Sequence, residues 1–217
     1  MMLFTKMRYR LALNSMSVGD YVKAENLFKK IQKSDPAVQG VGHNIGVCLM
    51  AQERYDEAEV CFRKEVETLG ECYSRSVTLG DLYYAWGKRE EAALWYGKSL
   101  EESPDSAVKQ FLNRRIAICA NSAKFEAAME GCRLMKQGRA EAEKGEIEIA
   151  IDCYEQSFEK DPTQYQSLNE AGVLLLNHKR EYARARDYFK KALRLSDLSP
   201  IRKNLGLAEN MISQEAR

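Results

Sequence analysis

The chain has few of the features from which chemistry is usually inferred. It contains four prolines and two histidines in 217 residues, and its net charge is only +1. A near-neutral balance argues against a nucleic-acid binder, whose footprint would be a strongly positive domain. No apolar run approaches the roughly 20 residues that span a bilayer. No apolar segment typical of a secretory signal follows the charged N-terminus. We therefore expect no nucleic-acid partner and no membrane insertion.

Cysteine spacing gives no sign of a disulfide framework. The six cysteines include no C-x-x-C pair, and the chain is long enough to bury a core without such crosslinks. Reduced cysteines act as small apolar residues in a core. Free thiols favour a reducing compartment, so we expect the protein to be cytoplasmic.

Catalytic and metal-binding motifs are also missing. The sequence has no phosphate-binding G-x-x-x-x-G-K-[ST] loop and no G-x-S-x-G nucleophile elbow. His43 and His178 have no cysteines or carboxylates at the short spacing that a zinc site needs. We predict that the chain is not an enzyme and that it needs no cofactor or metal.

The sequence does contain a repeat. An alanine four residues before an aromatic residue recurs with a period of 34 residues. The three pairs are Ala24 and Phe28, Ala58 and Phe62, and Ala92 and Tyr96. Upstream, a bulky residue precedes a small one with the same period: Leu11-Ala12, Ile45-Gly46 and Leu79-Gly80. This period and these columns resemble the tetratricopeptide repeat, a helical hairpin that stacks into a solenoid.

The resemblance implies two amphipathic helices, A and B, in each repeat. A glycine or alanine at repeat position 8 would let helix B approach helix A at the alanine of position 20. The aromatic residue at position 24 would fill the gap to the next repeat. Bulky residues at positions 4, 7, 11, 17, 24 and 27 have the spacing of helices buried on one face.

Six repeats can be placed on the chain. They cover residues 5–38, 39–72, 73–106, 107–130, 131–164 and 165–199. Proline ends helix B in several of them, because the residue before proline is pushed out of helical geometry. These prolines are Pro36, Pro104 and Pro162. The sixth repeat has one extra residue between its helices, and residues 201–214 resemble a capping helix.

The fourth and fifth repeats overlap. Ala128 and Ala150 both occupy position 20, yet they lie 22 residues apart instead of 34. One segment cannot form two antiparallel helices without a turn, so we predict a single helix over 124–144, about 31 Å long. The alternative is a kink at Gly131 or Gly138, because glycine is unfavourable in a helix interior.

This irregular junction divides the predicted array into two lobes. Residues 1–133 hold repeats one to four, and residues 134–217 hold repeats five and six with the capping helix. The lobes are continuous through the shared helix. The predicted fold class is therefore all-α: a right-handed α-solenoid of about six hairpins with an irregular junction near 124–144.

In proteins similar to this sequence, the A helices line a concave groove that holds a peptide or helix of a partner. Carried over position by position, the candidate groove residues are Arg10, His43, Asn44, Asp81, Arg114, Arg115, Asn169 and Asn177. Some family members clamp a C-terminal carboxylate with lysine and asparagine side chains. Only Asn44 matches that set, because Tyr9 and Leu13 replace the residues needed in repeat one. We therefore do not expect such a clamp.

We predict a protein–protein interaction scaffold, or adaptor, that binds a peptide or helical segment of another protein. Arg114 and Arg115 belong to a basic cluster that either grips a carboxylate or phosphate or is ordinary surface charge. Two other functions stay open. The chain could self-assemble into a homo-oligomeric structural scaffold through its convex or terminal surface. It could also be a non-catalytic subunit or fragment of a larger enzyme.

Overall fold

The computed structural model describes residues 3–103 and 105–216. These residues form twelve α-helices and no β-strand, which confirms the all-α prediction. Pro104, expected to end the third repeat, lies outside the described residues. The chain divides into two compact units, unit 1 from Met1 to Glu102 and unit 2 from Ser103 to Arg217.

Unit 1 is a stack of three antiparallel hairpins. Its helices are α1 (Leu3–Ser17), α2 (Tyr21–Ser34), α3 (Val41–Ala51), α4 (Tyr55–Leu69), α5 (Tyr73–Trp86) and α6 (Arg89–Glu102). Consecutive helices pack in pairs, and α2 also packs against α3 and α4 against α5. These hairpins are the predicted repeats one to three. Gly19 and Gly87 occupy the left-handed region, with φ of 80° and 81°, where the chain turns from helix A to helix B.

A glycine lies directly beneath an aromatic ring in the second and third hairpins. A Cβ atom added to Gly46 would lie 2.6 Å from Cε1 of Phe62, and one added to Gly80 would lie 2.6 Å from Cδ1 of Tyr96. Both rings are almost fully buried. The aromatic residue at position 24 therefore packs against helix A of its own hairpin. The prediction that it fills the gap to the next repeat did not include this contact.

Position 7 shows where the first repeat departs from the others. Ile45 and Leu79 are 3% and 0% exposed at this position, but Leu11 is 46% exposed. Helices α3 and α5 are each packed against the preceding hairpin, and among the described residues no helix occupies the equivalent place beside α1. The prediction that Leu11 is buried like its counterparts is therefore wrong.

Unit 2 contains the long helix predicted from the shortened spacing. Its helices are α7 (Ser106–Cys119), α8 (Ser122–Lys144), α9 (Ile147–Lys160), α10 (Tyr165–Leu174), α11 (Tyr182–Leu195) and α12 (Ser199–Glu215). Helix α8 runs uninterrupted for 23 residues. Its first half packs against α7, and α9 packs back along it as the second helix of the next hairpin. The predicted lobe boundary at 133/134 falls inside α8, and a functional division there stays a prediction.

The two glycines of α8 serve close packing. A Cβ atom on Gly131 would lie 2.9 Å from the carbonyl oxygen of Ser157. A Cβ atom on Gly138 would lie 2.9 Å from the ring of Tyr154. Both glycines are buried against α9, so they let the two helices approach and do not interrupt α8.

The extra residue of the sixth repeat is absorbed by a wider helical turn. Helix α10 continues as a π-helix over Leu175–Lys179, and the backbone N–H of Glu181 then donates to the carbonyl of Leu175 at 3.1 Å. A π turn accommodates one residue more than an α turn. The capping helix α12 packs against α11 through buried Ile201 and Ala208.

The packing of Gly80 yields a test of the repeat architecture. We expect Gly80→Ala to lower the free energy of unfolding by about 1–2 kcal/mol. The added Cβ overpacks the Tyr96 ring at a cost of about 1–3 kcal/mol, while the alanine recovers up to about 1 kcal/mol of helix propensity. Urea denaturation followed by circular dichroism measures the change.

The matched control is Gly97→Ala, because Gly97 is a helical glycine of α6 with nothing within 4 Å of an added Cβ. We expect this variant to gain up to about 1 kcal/mol from helix propensity alone. Stabilisation of both variants would show that the glycine beneath the ring is not required.

Candidate functional site

The predicted groove positions of unit 1 are accessible on all three A helices. Position 5 is occupied by Tyr9, His43 and Val77, position 6 by Arg10, Asn44 and Thr78, and position 9 by Leu13, Val47 and Asp81. None of these nine side chains is fully buried, and Arg10 and Leu13 are exposed. We call these nine residues the A-helix face. Position 6 is polar on all three helices, whereas positions 5 and 9 differ in character from one helix to the next.

Asn44 ties two A helices together. Its Nδ2 donates a hydrogen bond of 2.9 Å to the hydroxyl of Tyr9, joining α3 to α1. Unit 2 repeats this arrangement, because Nδ2 of Asn204 in α12 donates to Oδ1 of Asn169 in α10 at 3.0 Å. In both cases an asparagine at position 6 reaches position 5 of the preceding repeat. Asn169, a predicted groove residue, is thus held by the capping helix.

The side-chain carbonyl oxygen of Asn44, unlike its amide nitrogen, is open to a hydrogen bond from a ligand. Within residues 3–103 and 105–216 this oxygen has no hydrogen-bond partner, although its side chain is fixed by the bond to Tyr9. A fixed amide with an open acceptor is suited to bind a backbone N–H of an extended peptide.

His43 and Asp81 are oriented by the B helices of their own hairpins. Nδ1 of His43 lies 2.9 Å from Oε2 of Glu65, and the hydroxyl of Tyr96 donates to Oδ1 of Asp81 at 2.7 Å. Both side chains are half-buried. They are therefore held in defined orientations on the A-helix face.

Arg115 is not a groove residue. It is 4% exposed, and its guanidinium donates to Oδ2 of Asp161, which is fully buried, at 3.3 Å. Oδ1 of Asp161 accepts from the backbone N–H and the hydroxyl of Thr163, at 2.9 and 2.5 Å. The ion pair joins α7 to the segment after α9. The prediction that Arg115 faces a ligand is thus corrected: helical periodicity places it on the same buried face as Leu112.

Arg114 and Asn177, by contrast, are exposed. Asn177 lies in the π turn and, with Arg180 and Leu207, lines an open pocket of about 460 Å³ beside α12. The eight predicted residues thus fall into two sets: four on unit 1 and four on unit 2. The repeat pattern identified the helices correctly, but it gave no signal for the buried ion pair of Arg115.

The cysteines are reduced and are not gathered into a metal site within the described residues. All six cysteines are free thiols, and burial together with the charge of Glu25 raises the pKa of Cys48 to about 11. No group of three or more metal-ligating side chains occurs in the described part of the chain. None of the helices described in this structure has the length and apolar character needed to cross a membrane.

Two family models with the description tetratricopeptide repeat match the sequence. One covers residues 135–200 and the other residues 76–106. The first match begins in the second half of α8 and extends to the start of α12, so it supports the assignment of that half as an A helix. No curated protein sequence matches the chain.

Solved structures with tetratricopeptide repeats resemble the fold. The APC/C hetero-tetramer Cut9-Hcn1 matches 94% of this chain and 42% of its own, with 13% identity and a TM-score of 0.50. The present chain thus spans about two fifths of that relative. The TPR2AB domain of yeast Sti1 with pHSP90 matches 98% and 86%, with 12% identity and a TM-score of 0.47. YrrB, a TPR protein with an unusual peptide-binding site, matches 89% and 87%, with 17% identity and a TM-score of 0.42.

The corrected role of Arg115 can be tested by stability. We expect Arg115→Met to lower the free energy of unfolding by about 3–5 kcal/mol, because it leaves the Asp161 carboxylate buried without its cation. Arg115→Met combined with Asp161→Asn should recover part of that loss. The adjacent Arg114→Met, on the exposed face, should change stability by no more than about 0.5 kcal/mol. Equal effects of the two single substitutions in urea denaturation would contradict the assignment.

Proposed function

Since the chain is a tetratricopeptide-repeat protein, we propose that it is a non-enzymatic interaction scaffold, or adaptor, of the cytoplasm. In this proposal the A-helix face of unit 1 holds a peptide or helical segment of a partner protein. The observation that carries the proposal is the hydrogen bond from Asn44 to Tyr9. It fixes an amide with an open acceptor in the middle of a face built from three successive helices.

Apolar and polar groups on this face have separate tasks. Leu13 is 42% exposed, and Val47 and Val77 are half-buried, so they offer contacts for apolar side chains of a ligand. Arg10 and Asn44 supply polar contacts that fix the direction of the ligand backbone. Ordering a flexible segment costs free energy, so we expect micromolar affinity.

The test is affinity capture of a partner followed by binding of the purified, fluorescently labelled partner segment. We expect Arg10→Ala with Asn44→Ala to weaken binding about tenfold or more, since each lost polar contact costs about 1 kcal/mol or more. Fluorescence anisotropy measures the dissociation constant.

The matched control lies outside the A-helix face. Asn26→Ala with Lys30→Ala, at two exposed positions of α2, removes one side-chain amide and one positive charge, as the first pair does. We expect binding within about twofold of the unchanged protein. If both double variants bind as the unchanged protein does, the A-helix face is not the site.

Self-assembly is a second candidate function, favoured by the surface of α1. Phe4, Met7 and Leu11 are 74%, 67% and 46% exposed, and their spacing places them on one side of the helix. Exposed apolar stripes of this kind are typical of protein–protein interfaces. In this alternative the stripe would dock against a second copy of the chain.

Light scattering over a concentration series tests self-assembly. If the stripe is an interface, the average mass should rise with concentration, and Phe4→Glu with Met7→Glu should abolish the rise. Val60→Glu with Leu94→Glu is the matched control, because these residues of α4 and α6 are 67% and 59% exposed. A monomer at every concentration would exclude this alternative.

A further inference from the structure

Unit 2 contains an open pocket with a basic rim and an apolar floor. Its volume is about 520 Å³, within the range of ligand-binding clefts. It lies between α7, the end of α9 and the last turns of α11. The residues that line it are Gln110, Arg114, Phe158, Pro162, Lys191, Arg194 and Leu195. No acidic residue lines the pocket.

The three cationic side chains of this rim have no acidic partner among the described residues. Arg114, Lys191 and Arg194 are exposed, and none of them forms a hydrogen bond or an ion pair with the residues that the structure describes. The closest described interaction is that of Lys191, whose Nζ lies 5.7 Å from the ring centroid of Tyr188. A cleft lined by charges of one sign concentrates their potential and attracts a ligand of opposite charge.

Neighbouring cations on the same unit behave differently. Lys190 pairs with Glu209 at 3.4 Å, and Arg184 pairs with Glu181 at 3.1 Å. Other exposed cations of this unit, such as Lys124 and Lys203, also form no ion pair with the described residues. What distinguishes the basic rim is that three such cations line one pocket.

The helix dipoles beside the pocket do not cancel the positive charge of the rim. Helices α9 and α11 end beside the pocket, at Lys160 and Leu195, and each carboxyl end carries about half a negative charge. Together they amount to about one negative charge, against three full positive charges on the rim. The pocket therefore keeps a positive potential after the dipoles are counted.

The floor of the pocket favours a ligand that carries an apolar group. Phe158 and Leu195 are half-buried, and both pack against the core of unit 2. They are thus held in place and offer an apolar surface at the base of the cleft. Gln110 at the edge provides an amide that can bond a peptide backbone.

We propose that this pocket binds an acidic segment of a partner protein, in which a large apolar side chain is flanked by aspartate or glutamate. The apolar side chain rests on Phe158 and Leu195, and the carboxylates bind the rim. The two arginines can bind carboxylates bidentately. The site lies wholly within unit 2 and needs none of the residues of the A-helix face, so it stands apart from the proposed function.

The test uses the full chain and a fluorescein-labelled peptide in which one phenylalanine is flanked on each side by glutamates. We expect Arg114→Glu with Arg194→Glu to weaken binding about tenfold or more. The control, Lys124→Glu with Lys203→Glu, makes the same change in net charge at exposed lysines of unit 2 outside the pocket. It should bind within about twofold of the unchanged protein. Circular dichroism checks that both variants fold.

Three comparison ligands complete the experiment. A peptide with lysine for glutamate should not bind, and a peptide with glycine for phenylalanine should bind at least about fivefold more weakly. An oligothymidylate of similar charge should bind no more tightly than the acidic peptide. If the charge-reversed variant does not fold, Arg114→Gln with Arg194→Gln replaces it.

Several outcomes would overturn the proposal. They are no binding of the acidic peptide up to about 1 mM, equal weakening by the pocket and control variants, and tighter binding of the oligonucleotide. Binding that survives in the Arg10→Ala and Asn44→Ala protein but is lost in the pocket variant would support this site even if the A-helix face proves inert.

Discussion

The repeats depend on a bare backbone position beneath an aromatic ring. The contact occurs at four places: Gly46 and Phe62, Gly80 and Tyr96, Gly138 and Tyr154, and Gly172 and Phe189. Because the glycine has no Cβ, the ring of helix B can lie against helix A and fix its rotation about its own axis. Once the buried side of an A helix is fixed in this way, its positions 5, 6 and 9 face outward alike in each hairpin. In α3 and α5 the outward direction of the A-helix face is therefore a consequence of this contact.

The spacing of residues along the chain was sufficient to predict the helices, but not every side-chain contact between them. The 22-residue separation of Ala128 and Ala150 predicted α8, because a missing segment leaves no room for a turn. The buried ion pair of Arg115 could not be predicted. Helical periodicity places Arg115 on the same face as Leu112, but only the fold brings the Asp161 carboxylate to it. That contact belongs to the irregular repeat, for which the regular register gives no partner.

Asn44 and Asp81 of the A-helix face are held before any ligand arrives. Asn44 is bonded to Tyr9, and Asp81 accepts from Tyr96. A side chain that is already fixed loses little conformational entropy when it binds, so these bonds lower the free-energy cost of association. The hydrogen bonds that hold these residues within the fold thus also favour ligand binding by them.

The basic pocket of unit 2 works on the opposite principle. Its cations are exposed and have no fixed partners in the part of the chain that the structure describes. Its attraction therefore depends on net charge and weakens as salt shortens the Debye length from about 30 Å at 0.01 M to about 8 Å at 0.15 M. Hydrogen bonds from fixed, uncharged amides such as that of Asn44 are much less sensitive to salt, because they act at contact. One chain can therefore carry two recognition surfaces that respond differently to ionic strength. The difference follows from how each set of polar groups is satisfied within the fold.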